Sequence, residues 1–326
     1  MCAKITVAGI DLGGTKTSVA LYDEKLNRIG EQTIETSAEK GPESAFSRIT
    51  ETVKNLCSKN NVEISAAGIC TPGPVSIKQG KILYIASINW RNVSVVELLE
   101  TGLNVPVAFE NDTNAAAYAE RFAGAGVRLP GGEGNLIYIT VSTGVGAGII
   151  INDKIFYGAR DWAGEFGHTR LVPGGRKCTC GNDGCLEMYS SGTAIEREAK
   201  KAAIETDCLL RELSGGDVSK IDCKMAAAAA LQGDKRSLDI WREMAEHLGQ
   251  GIAILIQLFD PQIITLGGGV TNAWPLFHEV MMSEIDRGIY ADSRGVVEIR
   301  PTPLGQEAGR LGAALLALKR LKNQRI

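Results

Sequence analysis

The chain has 326 residues, of which 44% are hydrophobic and 22% charged, and its net charge is -3. That length can bury a large core and leaves room for two domains, while the slightly acidic balance gives no electrostatic footprint for a nucleic-acid partner. No apolar run reaches membrane-spanning length, since GIAILIQLF at 251–259 is too short. KITVAGI enters a strand almost at once, leaving no room for a signal peptide. Cys57, Cys70, Cys208 and Cys223 are scattered over helical or strand-like segments, a usage that fits a reducing cytoplasm.

Taken in order, ITVAGI and TSVALY read as strands joined by the turn DLGGTK, with a third strand near Ile29–Ile34. Phe46, Ile49, Val53 and Leu56 then recur at helical spacing. AAGICTPGPV reads as a buried strand ending in a Pro/Gly loop, SVVELLETG as a short helix and VPVAFEND as a strand, which closes an α/β unit near residue 112. An alanine-rich helix follows, capped by Asn111 or Asp112. NLIYITVSTGVGAGIIINDKIFYG then repeats the opening pattern, Asp11–Asp23 aligning with Ser142–Asp153 with one residue of slip. The repeat predicts two similar halves facing each other. From Ser191 to Phe259 the pattern is helical, and DPQIITLGGGV is a buried strand. A helix over Phe277–Arg287, an edge strand VVEIRP and the helix EAGRLGAALLALKRL complete the reading.

Five stretches carry chemistry. His168, Cys178, Cys180 and Cys185 place four N/S donors in one short loop, a set suited to a closed tetrahedral zinc site that holds structure and leaves no position for substrate. Glu165 and Glu187 bound this loop and can serve as acceptors for a polyol, and the second ring nitrogen of His168 can donate to it. The two turns DLGGTK and STGVGAG expose backbone N–H groups and hydroxyls; each reads either as an ordinary glycine hairpin or as a phosphate cradle. In the first, Thr15 and Lys16 add a hydroxyl and a charge, and Asp11 can hold Mg²⁺ directly or through water. Asp112 reads either as a helix cap or as a general base for a substrate hydroxyl, with Asn111 beside it. In ITLGGGV, Gly267, Gly268 and Gly269 admit close approach of a flat ligand such as adenine.

On these residues the chain resembles the ROK (repressor, open reading frame, kinase) family over nearly its whole length. GIDLGGTKTSVAL resembles the family's first phosphate loop, FENDTNAAA its catalytic segment and TVSTGVGAGII its second phosphate loop. AGEFGH resembles the sugar-binding turn, CTCGNDGCLE the zinc motif and ITLGGGV the nucleotide-binding run. The resemblance implies an α/β, actin-like ATPase fold, a duplicated ribonuclease-H-like architecture with two lobes and a cleft. The expected lobes are 1–112 and 113–306, with the helix at 307–323 returning to the first. It implies an ATP- and Mg²⁺-dependent hexose kinase with a structural Zn²⁺, working as a homodimer or homotetramer in the cytoplasm. Position by position, Asp112 is the base, and Asn111, Glu165, His168 and Glu187 contact the sugar. His168, Cys178, Cys180 and Cys185 bind zinc. Gly13, Gly14, Thr15, Lys16, Thr143, Gly144 and Gly146 hold phosphate, joined by Asp11 and the three glycines at 267–269.

The run CLEMYSSGTAI resembles the glucokinases of the family, which favours glucose; SINW resembles the segment that approaches the sugar, making Asn89 a candidate contact, and the resemblance implies that the CTPGPV loop, through Gly73 and Pro74, decides the room around the sugar's second-carbon substituent. N-acetylmannosamine, N-acetylglucosamine and fructose kinases share the catalytic set and remain alternatives. A repressor would need a DNA-binding helix-turn-helix ahead of the first loop, where ten residues precede Asp11; that reading is disfavoured.

Overall fold

A computed structural model describes residues 5–206 and 208–323. The chain divides into two compact units. The first comprises Met1–Glu133, Gly148–Ala163 and Leu304–Ile326, the second Gly134–Ala147 and Gly164–Pro303.

In the first unit, β1 (Thr6–Leu12) and β2 (Lys16–Asp23) form an antiparallel hairpin, and β3 (Arg28–Glu35) extends it beside β2. Pro in the first turn opens helix α1 (Pro42–Asn60), where its missing N–H costs nothing. The stripe Phe46, Ile49, Val53 and Leu56 is buried, and Asn61 ends the helix in the left-handed region at φ 52°. The chain then enters β4 (Ala66–Thr71), parallel to β1 and buried at all six residues. A small three-stranded sheet follows, of β5 (Val75–Ser76), β6 (Lys81–Ile85) and β7 (Trp90–Val93). Helix α2 (Val95–Leu103), strand β8 (Val107–Asn111), parallel to β4, and helix α3 (Asp112–Ala123) complete this stretch.

The second half uses β9 (Leu136–Val141), β10 (Val145–Ile151) and the short β11 (Lys154–Ile155). Then come α4 (Glu187–Ser190), α5 (Gly192–Glu205), α6 (Leu209–Leu213), α7 (Cys223–Leu231) and α8 (Lys235–Phe259). Strand β12 (Ile263–Gly267) leads to helix α9 (Trp274–Gly288) and strand β13 (Glu298–Pro301). Helix α9 begins three residues before the expected Phe277, because Pro275 sits in its first turn, where proline starts rather than stops a helix.

Sheet order makes the duplication explicit. The first large sheet runs β3-β2-β1-β4-β8 and the second β11-β10-β9-β12-β13. Each has a hairpin on one side and parallel strands on the other, so the repeat read at two turns extends to five strands.

Within the first unit the sheet is covered on both faces. Ile10, Leu12, Ile69 and Phe109 meet Phe46, Ile49 and Leu99 on one side; Val7, Tyr22 and Ala66 meet Ala119 and the last helix, α10 (Ala308–Asn323), on the other. Burying each large side chain contributes about 1.5–3 kcal/mol. The contact with α10 depends on two glycines. A Cβ on Gly68 would lie 1.8 Å from the Ala313 carbonyl oxygen, and one on Gly312 1.8 Å from that of Ala115. Among the described residues no helix is long and apolar enough to cross a membrane.

Candidate functional site

The corner between β8 and α3 holds the first group. Asn111 is the helix cap, its side-chain oxygen accepting from the Thr113 and Asn114 amides at 2.9 and 3.3 Å and from the Thr113 hydroxyl at 2.6 Å. That arrangement resolves the choice between the two cap candidates and leaves Asp112 as the first helical residue. One Asp112 oxygen accepts the Thr113 amide at 2.8 Å, in the first turn, where the helix dipole favours an anion.

Asp11 lies near the end of β1. Burial raises its carboxyl above the usual range, against hydrogen bonding from the Cys70 thiol and the positive charge of Arg310. The adjoining turn is held by the Gly13 amide donating to the Lys16 carbonyl at 2.9 Å and by the Thr36 hydroxyl donating to the Gly13 carbonyl at 2.7 Å. Thr15 and Lys16 are exposed on it. Gly73 takes φ 86°, and a Cβ there would sit 2.4 Å from the Tyr84 carbonyl oxygen. Asn89 is exposed and left-handed at φ 53°.

In the second unit, the turn Ser142–Val145 closes through the Ser142 amide donating to the Gly144 carbonyl at 2.9 Å. Thr143 is exposed and its carbonyl accepts the Thr193 hydroxyl at 2.8 Å. The Val145 amide donates to a Glu187 oxygen at 2.9 Å, so the carboxylate that ends the Cys/His loop is bound to this turn. Beside the turn lies a cavity of about 610 Å³ lined by Ser142, Thr143, Thr193, Asp222, Lys224 and Gly269, among others. The three glycines at 267–269 do different jobs. A Cβ on Gly267 would meet the Tyr138 ring, and Gly268, at φ 92°, would meet the Val141 backbone; Gly269 has nothing within 4 Å. Gly269 alone of the three lines the cavity. Asp222 and Lys224 escaped the sequence reading because they precede an alanine-rich run whose signal is helix alone.

The Cys/His loop converges on a point. The ligand atoms of His168, Cys178, Cys180 and Cys185 all lie within 4.8 Å of one another. Cys178 Sγ is 3.6 Å from His168 Nδ1, and Cys180 Sγ is 3.7 Å from Cys185 Sγ. A tetrahedron with zinc–sulfur bonds of about 2.3 Å has edges of about 3.8 Å, so the donor set and its spacing fit that ion. His168 presents Nδ1 to the sulfurs and leaves Nε2, 3.9 Å from a Glu165 oxygen. Desolvation raises the Glu165 carboxyl, His168 lowers it and Glu187 raises it. The loop is also tied to its surroundings by Arg176, which donates to Glu243 at 3.0 Å and pairs with Glu198 at 3.3 Å.

Glu110 and Tyr157 were missed by sequence reasoning. Tyr157 donates its hydroxyl to Glu110 at 2.7 Å. The available signal was an acid at the end of the apolar strand VAFEN, where a charge needs partners.

The sequence matches the ROK family over residues 7–320. It is 36% identical over 313 residues to a glucokinase of Streptomyces coelicolor, covering 95% of this chain and 96% of that one. It is 31% identical over 251 residues to a xylose repressor of Bacillus subtilis, covering 77% of this chain and 60% of the repressor. A ROK family glucokinase of Streptomyces griseus, solved with glucose and AMPPNP, superposes with TM-score 0.82 at 35% identity, covering 96% of this chain and 99% of that one. The doubled α/β sheet is the actin-like ATPase fold of these proteins. With the match spanning both sheets, the glycine turns and the Cys/His loop, the chain belongs to the ROK family.

Proposed function

We propose that the protein transfers the γ-phosphoryl group of ATP to a hexose hydroxyl, converting glucose to glucose 6-phosphate. The observation that carries this reading is the division of labour at the β8–α3 corner. Asn111 caps the helix and Asp112 is its first residue, so the Asp112 carboxylate stands in the first turn, beside the Thr113 amide that it accepts. Asp112 accepts the proton of the sugar hydroxyl as its oxygen attacks phosphorus. Asn111 orients the sugar through its amide, and Glu165, Glu187 and His168 Nε2 hold further hydroxyls. Asn89 and the Gly73 turn bear on the sugar's remaining substituents.

The turn residues Gly13, Gly14, Thr15 and Lys16 present backbone N–H, hydroxyl and ammonium groups to phosphate oxygens. Thr143, Gly144 and Gly146 do the same from the second half, and the cavity at Gly269 takes the nucleoside. Mg²⁺ bound with ATP supplies charge neutralisation, and Asp11 is the residue that would hold it. His168, Cys178, Cys180 and Cys185 would hold Zn²⁺, whose contribution is to fix the loop that carries Glu165 and Glu187.

The test is Asp112→Asn in an assay coupling ADP release to glucose. Loss of a positioned base costs about 10²–10⁴-fold in turnover, with glucose binding by calorimetry largely retained. Glucose-stimulated ADP release at the wild-type rate by this variant would overturn the assignment.

A further inference from the structure

Glu110 is a buried carboxyl for which the proposed reaction has no use. It is 1% exposed, opposite Cys70 in the sheet register and one residue before the cap of α3. One oxygen accepts the Asn111 backbone amide at 2.9 Å and the Asn114 side-chain amide at 3.2 Å. The other accepts the Tyr157 hydroxyl at 2.7 Å. Tyr157 belongs to the segment 156–163, which the Ala163 amide closes back on the Tyr157 carbonyl at 3.1 Å. The same segment is fastened a second time where Asp161 accepts the Ile77 amide at 3.1 Å. In sequence it runs directly into Gly164 and Glu165.

Three donors converging on one side chain suit an acceptor-only group, which is the ionised carboxylate. Burial opposes that state and pushes the carboxyl up to about 7, with Tyr157, Asn111 and Asn114 pulling it down and the like charge of Asp161 adding to the rise. The other titratable groups in reach are the Cys70 thiol on β4, itself raised by burial and by Asp11, Asp112 and Glu110, and Tyr118 on α3, which acts on Tyr157. A proton on the Tyr157 side forces that hydroxyl to turn from donor to acceptor. A proton on the other oxygen displaces an amide. Both leave the Asn111 amide with a weaker, uncharged acceptor.

We infer that Glu110 is a positioning residue: its carboxylate sets the Asn111–Asp112 corner and fastens segment 156–163 to it, so that protonation weakens sugar capture more than it slows phosphoryl transfer. The inference rests on the kinase reading of that corner. The experiment measures kcat and the KM for glucose, with ATP in excess, from about pH 5.5 to about pH 8.5 for wild type, Glu110→Gln and Tyr157→Phe, alongside the NMR shift of the Asn111 amide. Wild-type KM should rise about tenfold on acidification while kcat changes less than about threefold, and the amide should titrate with the same midpoint near neutrality. In Glu110→Gln the KM should sit near the acid-limit value at every pH and the amide titration should vanish. Tyr157→Phe removes one donor and should move both midpoints to higher pH. Persistence of the wild-type KM profile in Glu110→Gln, or an Asn111 amide that does not titrate in wild type, would overturn the inference. Should Glu110→Gln fail to fold, the direction of the Tyr157→Phe midpoint decides. A wild type that phosphorylates no glucose at any pH removes the kinase reading, and the amide titration then decides the role of Glu110 by itself.

Discussion

The two halves share a strand order and differ in where their carboxylates come from. In the first, Asp11 sits on the hairpin strand itself and Asp112 follows β8. In the second, the aligned turn begins with Ser142, and the strand that corresponds to β8 by sheet order, β13, is followed by Thr302. The turn there acquires its carboxylate from Glu187, at the end of the Cys/His loop. One half therefore builds acidity into the sheet, and the other imports it on an insertion that must be held in place. Duplication supplied equivalent positions, and side-chain changes divided the chemistry between them.

Four measurements test that contrast. The largest effect is expected at the acidic end of β8. Glu110 is raised from 4.5 to about 7 in the folded protein, so the folded state binds the extra proton between those values. Its contribution to stability is fully present below the unfolded value and is lost as pH rises through about 7, on the order of 3 kcal/mol. Denaturant unfolding at about pH 4 and about pH 8 should show wild type losing that amount relative to Glu110→Gln; equal losses would remove the buried charge from the account.

Next comes Gly144→Ala. A Cβ there would lie 2.4 Å from the Glu187 oxygen that accepts the Val145 amide. Loss of a charge-assisted bond of about 1.5–3 kcal/mol corresponds to a fall of about 10- to 160-fold in kcat/KM, read by steady-state kinetics. Stripping Zn²⁺ from the proposed Cys/His site with a chelator should release the imported carboxylate as well. The melting temperature should fall by about 5 °C in calorimetry, and glucose affinity should weaken with it. Loss of metal with neither effect would refute the clamp. The smallest effect is expected for Gly14→Ala, whose Cβ would be 3.2 Å from the rotatable Ser87 hydroxyl; kcat/KM should change less than about threefold. A larger loss at Gly14 than at Gly144 would reverse the contrast between the turns.

Local patterns exposed much of this in the sequence. The hairpin repeat, the stripe of α1 and the convergence of His168, Cys178, Cys180 and Cys185 are all readable because period and spacing are short-range properties. FENDTNAAA placed Asp112 at a helix start, although only the hydrogen bonds assign the cap to Asn111. What could not be read depends on contacts far apart in the chain. Glu110 and Tyr157 are 47 positions apart, and no periodicity links them. Gly267 and Gly268 look like ligand-facing glycines until the Tyr138 ring and the Val141 backbone are seen against them. The cavity residues Asp222 and Lys224 were hidden for the same reason, since a helix pattern does not say which neighbour a helix end will face.

The packing of α10 against Gly68, and of its own Gly312 against Ala115, bears on how the protein is made. Gly68 and Ala313 are 245 positions apart, yet their backbones touch. During synthesis, β1, β4 and α3 emerge early, and the part of this face that α10 covers stays open until α10 leaves the ribosome. Closing so long a loop is entropically costly and slow, so the half that begins first is completed last. Until then Val7, Tyr22 and Ala66 form an apolar surface of the kind that chaperones bind and that aggregation exploits.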